Sequence, residues 1–161
     1  MAAKKVQVVN LSIAGADNKV IRKAADLARK NGMILVASVG NWGFQNEPAY
    51  PAGYKDVIAV TAVDSRRRIY RRANSGDYVE FAAPGVRLWS PTMKGGKSQS
   101  GTSLATPFVS VLVALDLAKG APADIEEIRK MLRRRSTDIG RVGRDPLFGW
   151  GVITAKPSCM N

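Results

Sequence analysis

Residues 6–39 set the tightest limit on what this chain can fold into. VQVVNL at 6–11 is mostly β-branched and apolar, the composition of a strand buried on both faces. The next segment, NKVIRKAADLARKNG, puts Val20, Ile21, Ala24, Leu27 and Ala28 on one helical stripe, with Asp17 or Asn18 available as its cap. Asn31-Gly32 is a helix stop, because glycine takes the left-handed conformation without a Cβ clash. MILVASV at 33–39 is a second apolar run. Strand, amphipathic helix and strand in that order form a βαβ unit, whose strands lie parallel with a right-handed crossover.

The rest of the chain extends the same plan. VIAVTAV at 57–63 is another buried strand, and YVEFAA (78–83) and VRLWS (86–90) are short strands separated by a Pro84-Gly85 turn. Residues 40–56 and the arginine-rich 64–78 are loops by composition, and KGGKSQSG is a turn leading into a nearly all-apolar helix. A last amphipathic helix near 123–135 carries Ile125, Ile128, Met131 and Leu132 on one face and its basic residues on the other. The expectation is a three-layer α/β/α architecture with a mostly parallel sheet, one domain over all 161 residues.

Composition narrows the classes further. Apolar residues make up 45% and charged residues 24%, the balance of a globular domain. No apolar run reaches the roughly 18–20 residues needed to cross a membrane, and Gln7 and Asn10 interrupt any signal-peptide core. The compartment is left open. Cys159 is the single cysteine, which excludes an internal disulfide and argues against a metal cluster. Net charge is +12, concentrated in RRRIYRR (66–72), RRR (133–135), Arg141 and Arg144. Such clusters serve either an anionic partner, nucleic acid among them, or a solvated surface. Without regular aromatic interleaving or a nucleic-acid motif, solvated surface is the better reading.

Two segments could carry chemistry. In parallel sheets, ligands bind outside the carboxyl ends of the strands, where loops and helix N-termini gather. Gly40-Asn41 ends one strand, and Gly101-Thr102-Ser103 opens the apolar helix. Pro107 lacks an N–H, so the carbonyl near Ser103 loses its usual helical partner. That broken rule marks either a functional serine or a plain first-turn kink with Thr102 or Ser103 as N-cap. Asn41 is likewise either turn chemistry or a side-chain donor to a developing oxyanion.

Six segments together resemble the subtilisin-like serine proteases, the subtilase family. They are VVNLSIAG (8–15), ILVASVGN (34–41), YPAGYKDVIAVTAVD (50–64), FAAPGV (81–86), SGTSLATPFVSVLVAL (100–115) and GWGVI (149–153). They stand in the family's order at comparable spacing, from Val6 to Ile153. The resemblance implies Ser103 as the nucleophile, with Asn41 and the Ser103 N–H as oxyanion donors. It implies Ser12, Ile13, Ala14 and Gly15 as the segment that pairs with an extended peptide, by strand addition. Ala37, Ser38, Val39 and Gly40 would form the facing wall of the primary specificity pocket, and Thr102 joins the substrate-binding set. The implied partner is a peptide or protein substrate, and no cofactor is implied. Calcium sites vary in the family, and no acidic cluster here has a ligand pattern for one. Many relatives are secreted. Phe108 stands where many of them carry a non-catalytic histidine.

One departure governs what the chain can do. In the family the triad runs Asp, His, Ser, and the first two lie on segments preceding the strand equivalent to Val6–Leu11. The present sequence has no histidine, and no aspartate in it matches the base's orienting partner. It therefore resembles the C-terminal half of a subtilase catalytic domain, as truncation or processing would leave it, without the N-terminal strands. The alternative is a pseudoprotease, a peptide-binding module that keeps the cleft. Lys94 and Lys97 lie upstream of Ser103, but a lysine base needs burial, and GGK reads as an exposed turn. Alone, the polypeptide is expected to be inactive. Its Val6–Leu11 strand should be an open sheet edge that recruits a separate N-terminal half or a second copy.

Overall fold

The computed structural model describes residues 6–43, 47–93 and 95–154; Lys94 and Cys159 lie outside them. The βαβ unit is present as β1 (Val8–Leu11), α1 (Lys19–Lys30) and β2 (Ile34–Ser38), with the two strands parallel and Val8 opposite Ile34. Asn18 is the cap: its Oδ1 accepts from the N–H of Val20 at 2.8 Å. Gly32 closes the helix at φ +73°. β3 (Val57–Val63) and β4 (Phe81–Pro84) continue the parallel order, and β8 (Val152–Ile153) joins β4. β7 (Ser136–Thr137) closes the far side antiparallel, so the sheet reads β1-β2-β3-β4-β8-β7. The mostly parallel α/β fold is as expected.

Alternate residues of each strand feed opposite layers. Ile34, Val36, Ile58, Val60 and Phe81 pack with Ala105, Val109 and Val113 of α2 (Thr102–Ala118) and with Ile128 and Leu132 of α3 (Ile125–Arg135). Leu35, Ala37, Val57 and Ala59 face the other way, towards Ala25 and Ala28 of α1. Two layers of helix thus enclose one layer of sheet, the arrangement that lets parallel strands be apolar on both faces.

Several elements differ from the sequence reading. β1 is only half-buried, because among the described residues it is the sheet's edge and has β2 as its one partner. On α1, Val20 and Leu27 are 75% and 63% exposed, and Ala25 takes an inward place instead. The glycine-rich KGGKSQ stretch is not a turn alone: β6 (Gly95–Gln99) pairs antiparallel with β5 (Leu88–Thr92) in a separate hairpin. The basic face of α3 is also not wholly solvated. Arg129 is buried and grips the buried Glu80 through two bonds of 2.6 and 2.8 Å. Burial pushes the Glu80 carboxyl above its ordinary range against the pull of that guanidinium. Burial works against the charge of Arg129 too, but Glu80 and Glu126 prevail and hold it cationic.

Candidate active site

Three chain segments meet at the carboxyl edge of the sheet: residues 12–15 after β1, residues 39–41 after β2, and the first turn of α2. Each is placed there by ordinary constraints. Gly40 has φ +100°, and a Cβ on it would stand 2.7 Å from Nδ2 of Asn74, so only glycine makes this turn. Asn41 follows, half-buried, with its side-chain oxygen fixed by Thr102. Its Oδ1 accepts from the Thr102 N–H at 3.0 Å and lies 3.1 Å from the Thr102 hydroxyl, whose oxygen is also 3.3 Å from the Gly40 carbonyl. A backbone N–H needs an acceptor, so the amide oxygen faces Thr102 and Nδ2 is left for the other side.

That other side is where Ser103 stands. The point at which a Cβ on Gly101 would lie is 3.2 Å from Ser103 Oγ, 3.6 Å from Asn41 Nδ2 and 3.9 Å from the Ser103 nitrogen. Gly101 is extended, at φ 169°, a conformation open to any residue. A methyl group here would press on the Ser103 hydroxyl and lie in ordinary contact with the other two atoms. Among the described residues, neither Ser103 Oγ nor its N–H has a hydrogen-bond partner. The first N–H groups of a helix are unpaired by construction and carry its positive dipole end. Two donor nitrogens and an unpaired hydroxyl therefore lie within 3.9 Å of one point, the grouping that a carbonyl oxygen gaining negative charge requires.

The expected peptide-pairing segment lies alongside. Ser12 Oγ donates to the Ser103 carbonyl at 2.8 Å, Ser38 Oγ donates to the Ile13 carbonyl at 3.1 Å, and Gly15 exchanges two backbone bonds with Tyr50. Among the described residues, the N–H groups of Ser12, Ile13 and Ala14 have no partner. Ile13 is 56% exposed. Ala37, Ser38 and Val39 are buried, with Ala37 and Val39 in the core on the α1 side, and the main chain of Ala37 and Ser38 is paired with β1 and β3. Lys97 is exposed on β6, away from any buried setting that would suit a base. Among the described residues, no metal-binding group of acidic, cysteine or histidine side chains forms.

Sequence reasoning missed the supports behind Asn41. Asn74 Oδ1 accepts from the Trp42 N–H at 2.8 Å, its own N–H reaches the Gly40 carbonyl at 3.1 Å, and the Tyr78 hydroxyl donates to the Val39 carbonyl at 3.0 Å. The loop is pinned from a segment that reads as a plain turn, and no local spacing announces it.

The fold and the converging edge define an α/β protein of the subtilisin-like peptidase type. A model of the subtilase family (peptidase S8) matches residues 1–151, and the chain belongs to that family. It is 36% identical over 157 residues to the minor extracellular protease Epr of Bacillus subtilis, covering 96% of this chain and 24% of the relative. It is 35% identical over 160 residues to subtilisin DY of Bacillus licheniformis, covering 96% and 57%. The chain thus spans less than two thirds of the length of either relative. Among solved structures, the prenylagaramide maturation protease PagA shares the fold, with a TM-score of 0.75 at 24% identity, over 92% of this chain and 59% of that one.

Proposed function

We propose that this polypeptide is the nucleophile-bearing part of a subtilase serine endopeptidase and is inactive until a separate segment supplies the base. The observation that carries the reading is the convergence of Ser103 Oγ, the Ser103 N–H and Asn41 Nδ2 on one space beside Gly101. A peptide extended along Ser12–Gly15 would present its carbonyl carbon to Ser103 Oγ. As the C–O bond forms, the carbonyl oxygen takes the electron pair and is held by the two donors. The hydroxyl proton must leave at the same time and then reach the departing amine, after which water hydrolyses the ester in a second cycle. No histidine occurs among the 161 residues, so the proton acceptor has to come from outside them. General-base help is worth about 10²–10⁴ in rate, and an oxyanion hole does not replace it.

The segment bearing that base has a place to add. Among the described residues β1 pairs with β2 alone, and beside it runs an apolar groove lined by Val9, Leu11, Ile13, Ile21, Ala24 and Ala28. An unprotected apolar strand tends to recruit another chain, which here would be the N-terminal part of a subtilase domain or a second copy. A second reading, a peptide-binding module without catalysis, draws on the same lack of histidine together with the unpaired N–H groups of Ser12, Ile13 and Ala14 among the described residues.

Labelling with a serine-directed fluorophosphonate separates the two. The isolated chain should stay unlabelled, and mixing with a subtilase N-terminal segment bearing Asp and His should give a phosphonylated Ser103, located by mass spectrometry. A folded, stable mixture that never labels at Ser103 would favour the binding module.

A further inference from the structure

Pro107 leaves one defect in an otherwise complete helix. In α2 the carbonyl of Ser103 should receive the N–H of residue 107, and proline has none. An unpaired carbonyl next to the reactive hydroxyl would let the first turn twist. The structure fills the gap with a side chain from another element, the Ser12 hydroxyl, which donates to the Ser103 carbonyl at 2.8 Å. Ser12 is in turn held from behind. Asn10 Nδ2 donates to Ser12 Oγ at 2.9 Å, and Ser110 Oγ lies 2.9 Å from Asn10 Oδ1, closer than the 3.1 Å to its local alternative, the Thr106 carbonyl.

The donors run in one direction: Ser110 to Asn10, Asn10 to Ser12, Ser12 to the carbonyl of Ser103. Bonds in such a row polarise one another in the same sense. Residues 103 and 110 are two turns apart on one face of α2, so the row straps that face to the end of β1 at two points. Ser12 is also the first residue of the segment expected to pair with a peptide. One hydroxyl therefore fixes the nucleophile's helical turn relative to the strand that would carry the scissile bond.

We infer that Ser12 is a positioning residue for Ser103, supplying the hydrogen bond that Pro107 removes, with Asn10 and Ser110 holding it in place. This rests on the reading of Ser103 as nucleophile. A misplacement of about 1 Å can cost as much as 10²-fold in rate, so losing the strap should be seen in the chemistry more than in binding.

Four variants test it: Ser12→Ala, Ser12→Thr, Pro107→Ala, and Ser12→Ala combined with Pro107→Ala. The alanine at 107 brings back an N–H that can bond the Ser103 carbonyl from within the helix. The first readout is the carbonyl ¹³C shift of Ser103 in the isolated chain. It should move upfield in Ser12→Ala and return in Ser12→Thr and in the double variant; an unmoved shift in Ser12→Ala overturns the inference. The second is the rate of fluorophosphonate labelling of Ser103 per folded molecule, with the Asp- and His-bearing segment supplied. Ser12→Ala should slow it about tenfold to a hundredfold, and the double variant should recover to within about threefold of Pro107→Ala. A Ser12→Ala variant that melts lower yet labels at the original rate shows a merely structural bond and also overturns the inference. A wild-type chain that does not label at Ser103 overturns the nucleophile reading instead, and the two failures are told apart by that control.

Discussion

Replacing Asn41 by aspartate in the reassembled catalytic domain should lower kcat by at least 10²–10³-fold and leave the melting temperature nearly unchanged. The two ends of the Asn41 amide do separate work. Its oxygen holds the Thr102 N–H at 3.0 Å, and its nitrogen faces the space beside Ser103. Aspartate keeps an oxygen for Thr102 and loses the donor. Removing one such donor typically costs about 2.7–4 kcal/mol of transition-state stabilisation. A carboxylate placed there would also repel the developing oxyanion, so the loss should deepen as pH rises and the group ionises. Asn41→Leu should lose the same donor and, in addition, leave the Thr102 N–H unpaired, lowering stability as well. Steady-state kinetics with a peptide anilide, set beside thermal melts of both variants, checks the split. An Asn41→Asp variant that keeps its kcat would show that Asn41 acts only as scaffold.

The largest effect on stability should come from Arg129→Met. Arg129 bonds both oxygens of Glu80 and the carbonyl of Lys55, and the side chains of the pair are only 10% and 9% exposed. Taking away the guanidinium leaves a buried carboxyl that burial already pushes up, with its main partner gone. Breaking such a pair from one side costs about 3–5 kcal/mol, whereas replacing both ends by apolar groups is often neutral or stabilising. For a chain of this length that corresponds to a fall in Tm of roughly 6–20 °C. Arg129→Met combined with Glu80→Leu should recover most of it. Urea melts of the three variants provide the test, and a double variant no more stable than Arg129→Met would refute the pair as the source.

How much of this was legible in the sequence depends on whether a feature is local. The βαβ unit, the Gly32 stop and the Gly101-Thr102-Ser103 segment at a helix mouth were all readable, because each is fixed by residues close to it in the chain. The place of β1 beside β2 alone, among the described residues, is not in the pattern, since an apolar strand looks the same whether one partner flanks it or two. β6 was not readable. Its Gly, Lys, Ser and Gln residues lack any alternation, and the hairpin is held by main-chain pairing, with Trp89 lying over Gly96 so closely that a Cβ there would be 2.1 Å from the ring.

The site divides in the same way. Ser103, Asn41, Gly101 and Thr102 announce themselves as short polar segments at element ends. Asn74 bonds Trp42 across 32 positions and Ser110 bonds Asn10 across 100, and their residue types give no hint of the partner. The burial of Arg129 did leave a trace. It falls four residues after Ile125 and three before Leu132, on the apolar stripe of α3, where a solvated charge has no place.

The central claim is that Ser103 is an attacking group whose proton acceptor lies outside these 161 residues. The most direct measurement is peptide cleavage by the purified chain alone, by its Ser103→Ala variant, and by each after a subtilase N-terminal segment is added. Cleavage should appear only where Ser103 and the added segment are both present. Cleavage by the chain unaided, persisting when alanine replaces Ser103, would contradict it.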